Sequence, residues 1–366
     1  MPIYKGYYVN LQGVNQLTMK KKILFIMNPI SGTSSKAGIP GLIENQLDKD
    51  KYDYEIRMTE YAGHGAKMAQ EASGQGFDIV VAVGGDGTVN EVARGIARTQ
   101  TALGILPCGS GNGLARHLML PMNIKKSIQV LNQCEIHDLD YGLINSHPFF
   151  CTCGMGFDAL ISMKFAEAGK RGLVTYAESV LKEWLRYKPQ TYELIDDTGT
   201  KRFKAFVVSC ANASQYGNNA YIAPQASMSD GLMDVVVMEP FDLIEASQIA
   251  IELFNKTLDK DSKIKTFKCR KLHIHRQAPG EIHFDGDPVM EKADVDVEIV
   301  PKGIKVVVNP WADKRQRKPN VFQNVAADLF AGFNDVRAVL RSRSRQIQAL
   351  NKVLQRKLNL WNGKLS

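Results

Sequence analysis

Through the first third of the chain, short unbroken apolar runs alternate with segments whose apolar residues recur at helical spacing. KILFIMNP at 22–29, KYDYEIRMTE at 51–60, FDIVVAV at 77–83 and TALGILP at 101–107 are the runs. A helix is expected near AGHGAKMAQEAS at 62–73 and another from about Leu114. Between them Val89, Val92, Ala93, Ile96 and Ala97 stand at i, i+3, i+4, i+7 and i+8, one face of a helix. Strands apolar along their whole length, each followed by a helix, predict a parallel sheet covered on both faces.

Near residue 145 the pattern changes. HPFFCTCGMGF at 147–157 is strand-like, with Cys151 and Cys153 expected on one face, and a long helix is expected over about 159–187. Extended segments then dominate: QTYELID, KRFKAFVVSCANA, LMDVVVME, TFKCRKLHIHR, EIHFDGDPV, DVDVEIV and GIKVVVN. DDTGT at 196–200 marks a hairpin, and only DLIEASQIAIELFNK among them reads as a helix. The expected organisation is an extension over 1–18 with Met19 as a natural start, an α/β nucleotide-binding domain over 19–144, a β-rich substrate domain over 145–312 and a basic amphipathic tail over 313–366.

Composition adds three points. No run of about 18 apolar residues is present, so no spanning helix is expected. The six cysteines form no C-x-x-C pair, which suits a reducing cytoplasm. The net charge of +8 is concentrated at one end: residues 313–366 hold 12 Lys/Arg against 3 Asp/Glu, leaving 34 against 35 elsewhere. A basic tail of this kind favours an anionic partner.

Three strands are expected to end in glycine-rich turns: Asn28-Pro29-Ile30-Ser31-Gly32, Gly84-Gly85-Asp86-Gly87-Thr88, and Pro107-Cys108-Gly109-Ser110-Gly111-Asn112-Gly113. In a parallel sheet such turns gather at the carboxyl edge, where ligands bind. Glycine lets the backbone approach closely, and a helix start offers N–H groups and a positive dipole end to phosphate. The pattern is neither a P-loop nor a dinucleotide fingerprint. Asp86 is the odd member. A carboxylate among phosphate-binding amides would hold Mg²⁺, accept a proton during phosphoryl transfer, or cap the helix that follows. His273 and His275 share a strand face, with His283 after them, and are expected as ordinary sheet positions rather than metal ligands.

NPISG, GGDGTVNEV and PCGSGNGLARHL, in this order, resemble the diacylglycerol kinase catalytic-domain superfamily, including its soluble bacterial lipid kinases and its sphingosine and ceramide kinases. GMGFDA, APQASMSDGLMDVVVM and HFDGDP extend the resemblance over roughly 21–310. It implies an N-terminal α/β domain with a parallel sheet, a C-terminal β-sandwich and an active site between them. It also implies ATP and Mg²⁺, and transfer of the γ-phosphate to the hydroxyl of a membrane lipid. By resemblance the ATP contacts fall on Asn28, Pro29, Ser31, Gly32, Thr59, Gly84, Gly85, Asp86, Gly87, Thr88, Asn90 and Ser110, with Lys170 and Arg171 as a basic pair beside the phosphates. The metal site falls on the Asp230 side chain with the Ser227 and Leu232 carbonyls. Asp86 and Asp287 are expected as the essential catalytic pair, supported by Asp285, and Asp158 falls near a lipid head-group position. The late motif departs from the family's Asp-Gly-Glu: Asp287 is one methylene shorter, which leaves the base open between Asp86 and Asp287.

GSGNGLA is nearer the sphingosine-kinase spelling, a slight pointer to a sphingoid or ceramide-like alcohol over diacylglycerol. The tail carries the cluster Lys314-Arg315-Gln316-Arg317-Lys318, then Ile347, Leu350, Leu354, Leu358, Trp361 and Leu365 near helical spacing. Basic residues at an anionic leaflet and an apolar helix face would hold the protein at the inner face of the membrane. The same helix could instead pair with its twin in a homodimer or pack on its own body. No nucleic acid is expected. The alternatives are an NAD-kinase-like enzyme and a non-catalytic lipid- or nucleic-acid-binding regulator.

Overall fold

The computed structural model describes residues 20–29, 36–168, 183 and 186–312. Ser31, Gly32, Lys170, Arg171, the extension over 1–18 and the tail over 313–366 lie outside the described residues, as does much of the helix expected over 159–187.

The first domain follows its hydrophobic pattern. Strands β1 (Lys21–Met27), β2 (Tyr52–Met58), β3 (Ile79–Gly84) and β4 (Ala102–Pro107) pair in parallel in the order β2-β1-β3-β4. Helices α1 (Ile39–Gln46), α2 (His64–Gly74), α3 (Asp86–Ile96), α4 (Gly113–His117) and α5 (Ile124–Gln133) follow or flank them. β3 and β4 are buried at every position, as expected for strands covered on both faces. The apolar stripe of α3 (Val89, Val92, Ala93 and Ile96) lies in the same core cluster.

The second domain is an antiparallel sandwich. One layer is β7 (Thr152–Gly156), β10 (Val207–Ala211), β11 (Met233–Met238), β12 (Ile264–Cys269), β14 (Gly280–Phe284) and β15 (Asp287–Glu291). The other holds β8 (Gln190–Asp196), β9 (Gly199–Ala205), β13 (Lys271–Arg276) and β16 (Asp294–Val307), with β5 (Ile136–Ile144) paired to β16 and β6 (His147–Phe149) to β5. Alternation puts Val235 and Val237 between the layers, against residues such as Leu194 and Ile274. Val236 and Met238 face a third cluster with Ile249 of the helix Leu243–Asn255.

Three differences from the sequence pattern have physical causes. KRFKAFVVSCANA is not one strand: β9 ends at Ala205 in one layer and β10 begins at Val207 in the other, with no turn residue between them. DVDVEIV and GIKVVVN are one strand, β16, whose irregularity between Val300 and Ile304 lets its last residues run parallel to β4 of the first domain. The ten-stranded sheet therefore continues from one domain into the other. Finally β7 begins at Thr152, so Cys151 joins the first core and Cys153 the sandwich core rather than sharing a face. Among the described residues no helix is long and apolar enough to cross a membrane.

Candidate active site

Strands β1, β3 and β4 are parallel neighbours that end at one edge of the sheet, and the turns that follow β3 and β4 touch through their backbones. A Cβ on Gly109 would stand 2.7 Å from the Gly85 Cα, so only glycine permits the approach there. Asn112, at a φ of 50°, closes its own loop: its Oδ1 accepts the Gly109 N–H at 3.0 Å and its Nδ2 donates to the Gly109 carbonyl at 2.6 Å. Asp86 then ties the turns together. It begins α3, yet its carboxylate serves α4, accepting the Asn112 N–H at 2.8 Å and the Gly113 N–H at 2.6 Å. The carboxylate among the glycines is thus a cap, but for a different helix from the one it starts. Glu91, farther along α3, repeats the device: it accepts the Gly63 and Gly65 N–H groups at 2.8 and 3.0 Å at the start of α2. Lys36, 8 % exposed, donates to the Asn28 carbonyl, and its charge opposes the burial that pushes the Cys108 thiol up.

Asp285 and Gly286 form the two-residue turn between β14 and β15, with φ of 51° and 89°. Asp-Gly is the dipeptide such a turn prefers, since both central residues need positive φ. The Asp285 side chain is satisfied four times over. It accepts from the N–H groups of Phe150, Cys151 and Thr152 at 2.8, 2.8 and 3.0 Å and from Asn90 Nδ2 at 2.5 Å. Burial still pushes its carboxyl up from the ordinary aspartate value, against the pull of those donors. It thereby locks α3 to the entry of β7. Asp287, two residues on, is 53 % exposed at its side chain and pairs with Arg94 at 3.3 Å. Desolvation raises its carboxyl and Arg94 lowers it, with a net rise.

Between the domains lies a cavity of about 300 Å³. The first domain contributes Asp86, Val89, Asn90 and Leu114, and the second Asp158, Ile161, Tyr216 and His283. Asp285 and Gly286 reach it, whereas Asp287 is not among the residues of its walls. Asp158 opens helix α6 (Phe157–Ala168). Its Oδ1 accepts the Ala159 N–H at 2.8 Å; its Oδ2 accepts the Tyr216 hydroxyl at 3.1 Å and meets His283 Nε2 at 3.0 Å. His283 is 2 % exposed, and its Nδ1 is buried with no hydrogen-bond partner.

The structure therefore brings Gly84 to Asn90, Asp158 and Asp285 to one region. The Thr59 N–H donates to the Met27 carbonyl at 2.9 Å, which holds the end of β2 against β1, and Ser110 is exposed on its turn. At Asp230 a lysine intervenes: Lys268 Nζ stands 2.8 Å from Asp230 Oδ2 and 3.2 Å from Asp234 Oδ2, while Asp230 Oδ1 accepts the Leu232 N–H at 3.1 Å. One ammonium thus stands between both carboxylates, while Asp234 Oδ2 is buried without a hydrogen-bond partner. Among the described residues no three His, Cys, Asp or Glu side chains converge on a metal position. His273 and His275 pair with Asp296 and Asp294 at 2.8 and 2.7 Å on β13 and β16, apart from His283. Sequence reasoning missed Lys36, Glu91, Arg94, Tyr216 and the special place of His283. A lysine beside the first glycine turn was a usable signal. Nothing local marks His283 or Tyr216.

The family model described as the diacylglycerol kinase catalytic domain matches residues 22–144, and that of the YegS C-terminal NAD kinase beta sandwich-like domain matches 151–308. A probable lipid kinase, YegS-like, of Chromohalobacter salexigens is 34% identical over 241 residues, covering 64% of this chain and 77% of that one. A diacylglycerol kinase of Bacillus subtilis is 25% identical over 278 residues, 73% of this chain and 90% of its own. The fold agrees with the crystal structure of a diacylglycerol kinase from Bacillus anthracis, at a TM-score of 0.62 and 19% identity over 80% of this chain and 98% of that one.

Proposed function

The chain belongs to the diacylglycerol kinase catalytic-domain superfamily and is a kinase, and we propose that it moves the γ-phosphate of ATP to the hydroxyl of a membrane lipid, either diacylglycerol or a sphingoid- or ceramide-like alcohol. The observation that carries this reading is the junction of the glycine turns, tied by Asp86, with a cavity that has apolar sides and a buried polar corner. The residues present suit the phosphates. Two turns bare their backbones to one edge of the sheet, α3 starts there with the orphan N–H groups of any helix start, and Thr88 Oγ1 and Asn90 Oδ1 are buried without partners.

Gly84 to Thr88 and Ser110 would hold the phosphates, with Asn28, Pro29, Ser31, Gly32, Lys170 and Arg171 beside them and Thr59 at the nucleotide. Mg²⁺ enters as part of the MgATP substrate and neutralises phosphate charge. Asp86 keeps the two turns in register, so the donors face the phosphates without reorganising. Val89, Leu114 and Ile161 offer apolar contact to the lipid, and Asp158 with Tyr216 and His283 receives its head group. The tail would add attraction to an anionic leaflet.

The test supplies labelled ATP, Mg²⁺ and mixed micelles carrying diacylglycerol, a sphingoid base, ceramide or monoacylglycerol in turn. Label in one lipid supports the reading and names the substrate. Label released only as inorganic phosphate, or retained in ATP, counts against it.

A further inference from the structure

We propose that Tyr216 is a positioning residue that sets the acceptor end of the cavity against the glycine turn at 109–113, its side chain ordering Asp158 and its backbone seating the turn; the proposal rests on the lipid-kinase reading. Two sets of contacts meet at this residue. Its hydroxyl donates to Asp158 Oδ2 at 3.1 Å, and its ring stands 6.3 Å from that of His283 in the cavity wall. Its backbone belongs to a segment, at 216–219, that reaches the first domain. There the Asn218 N–H donates to the Gly111 carbonyl at 2.9 Å. Arg116 Nε donates to the same carbonyl at 2.8 Å.

The two backbones are in direct contact. A Cβ on Gly113 would stand 3.2 Å from the Tyr216 carbonyl oxygen, and one on Gly217 would stand 3.2 Å from the Gly111 Cα. Gly217 also has a φ of 125°, so space and conformation both call for glycine there. Asn218 and Asn219 follow at 48° and 64°, in the left-handed region that asparagine tolerates better than most residues. This winding folds the segment back on itself: the Ala220 N–H donates to the Gly217 carbonyl at 2.9 Å, and the Tyr216 N–H to the Ala220 carbonyl at 3.0 Å. Buried Gln215 accepts the Asn219 N–H at 3.1 Å, and His117 Nδ1 on α4 accepts the Ser214 N–H at 3.0 Å. The segment is braced along its length.

The turn at 109–113 is therefore held from two elements. Asp86 on α3 accepts the N–H groups of Asn112 and Gly113, and the segment at 216–219 donates to the carbonyl of Gly111. Because the ring and the backbone of Tyr216 are parts of one braced segment, Asp158 and the turn keep a fixed separation. A lipid hydroxyl placed beside Asp158 and a phosphate placed by the turn then meet at a set distance. Alignment of that kind governs the chemical step, where a misplacement of about 1 Å costs about 10²-fold in rate. The hydroxyl of Tyr216 thus bears on acceptor binding, and its backbone on alignment.

Two substitutions separate these effects. Tyr216→Phe removes the hydroxyl and keeps the backbone. It should raise KM for the preferred lipid about tenfold, with kcat and MgATP affinity unchanged. In an Asp158→Ala background the same change should move that KM by less than about twofold, since the hydroxyl acts through Asp158. An equal rise in both backgrounds overturns the side-chain role, as does a Tyr216→Phe protein with the wild-type lipid KM or with MgATP affinity reduced as much. Gly217→Ala pushes the segment off Gly111. Its kcat, referred to MgATP sites counted by calorimetry, should fall about 10²-fold while the lipid KM stays within about twofold of wild type. Wild-type kcat in this variant overturns the backbone role. If Gly217→Ala does not fold, hydrogen exchange at the Asn218 amide of the wild-type protein is measured instead. Exchange slowed at least about tenfold by the bond to Gly111 supports the contact, and exchange at the open-chain rate overturns it. If the wild-type protein labels no lipid, the lipid-kinase reading itself has failed. If it labels lipid and both variants do so with wild-type constants, only the role of Tyr216 has.

Discussion

The two domains furnish their walls of the cavity in different ways. The first domain lends the cavity Asp86, Val89, Asn90 and Leu114, and beside it stand the glycine turns and helix starts, whose N–H groups the Asp86 carboxylate holds in place. The wall from the second domain is made of side chains from three separate segments, Asp158, Tyr216 and His283, joined through the Asp158 carboxylate. The first is suited to a ligand every kinase shares, since phosphate needs only amides and positive dipole ends. The second is suited to a ligand that differs between kinases. The comparison teaches that a carboxylate in a motif can order the backbone around it: Asp86 accepts two donors and Asp285 four.

The largest break in this comparison should come from Asp86→Asn. An amide keeps one acceptor and turns an NH₂ toward the other N–H, so the turns separate. Lipid phosphorylation should fall about 10²–10³-fold, read as initial rate at saturating lipid. Asp285→Asn comes next and should appear as stability. An amide NH₂ turned toward the backbone N–H groups leaves buried donors without an acceptor, which should cost about 1–3 kcal/mol, read from urea unfolding. Lys268→Met probes a carboxylate pair satisfied by a side-chain cation instead of backbone. With Lys268 partly in water, the cost should be about 1 kcal/mol, and EDTA should leave the wild-type melting temperature unchanged. A wild-type melting temperature that drops with EDTA would replace the lysine with a bound ion. Asp287→Asn should be the mildest, slowing transfer less than about tenfold, because its partner Arg94 and its exposure place it outside the cavity. A loss as large as that of Asp86→Asn would return the base to the third residue of the Asp-Gly-Asp motif.

What was legible in the sequence divides along the same line. The strand runs at 22–29, 77–83 and 101–107 and the stripe of α3 carry their period locally, so the parallel sheet and its glycine edge could be read directly. The Asp285-Gly286 turn was spelled in its residues, though its four donors were not. The sheet switch at Phe206 left no mark, because a buried chain that changes layers keeps its apolar character on both sides. The return of β16 to β4 was hidden for a related reason: either sheet would accept IKVVV. The Asp158–His283 contact joins residues 125 apart in sequence, and no local pattern announces a pair of that kind. Of the three roles open to Asp86 in the sequence, the cap is made, but for α4 rather than for the helix it begins, since α4 is distant in sequence and near only in the fold.

The affinity of the Asp86→Asn protein for MgATP, set beside the wild type in one calorimetric titration, tests most directly whether that carboxylate is scaffold or base. If Asp86 holds the turns, binding should weaken at least tenfold together with the loss of transfer. Wild-type affinity with transfer abolished would contradict the account and make Asp86 the group that takes the proton.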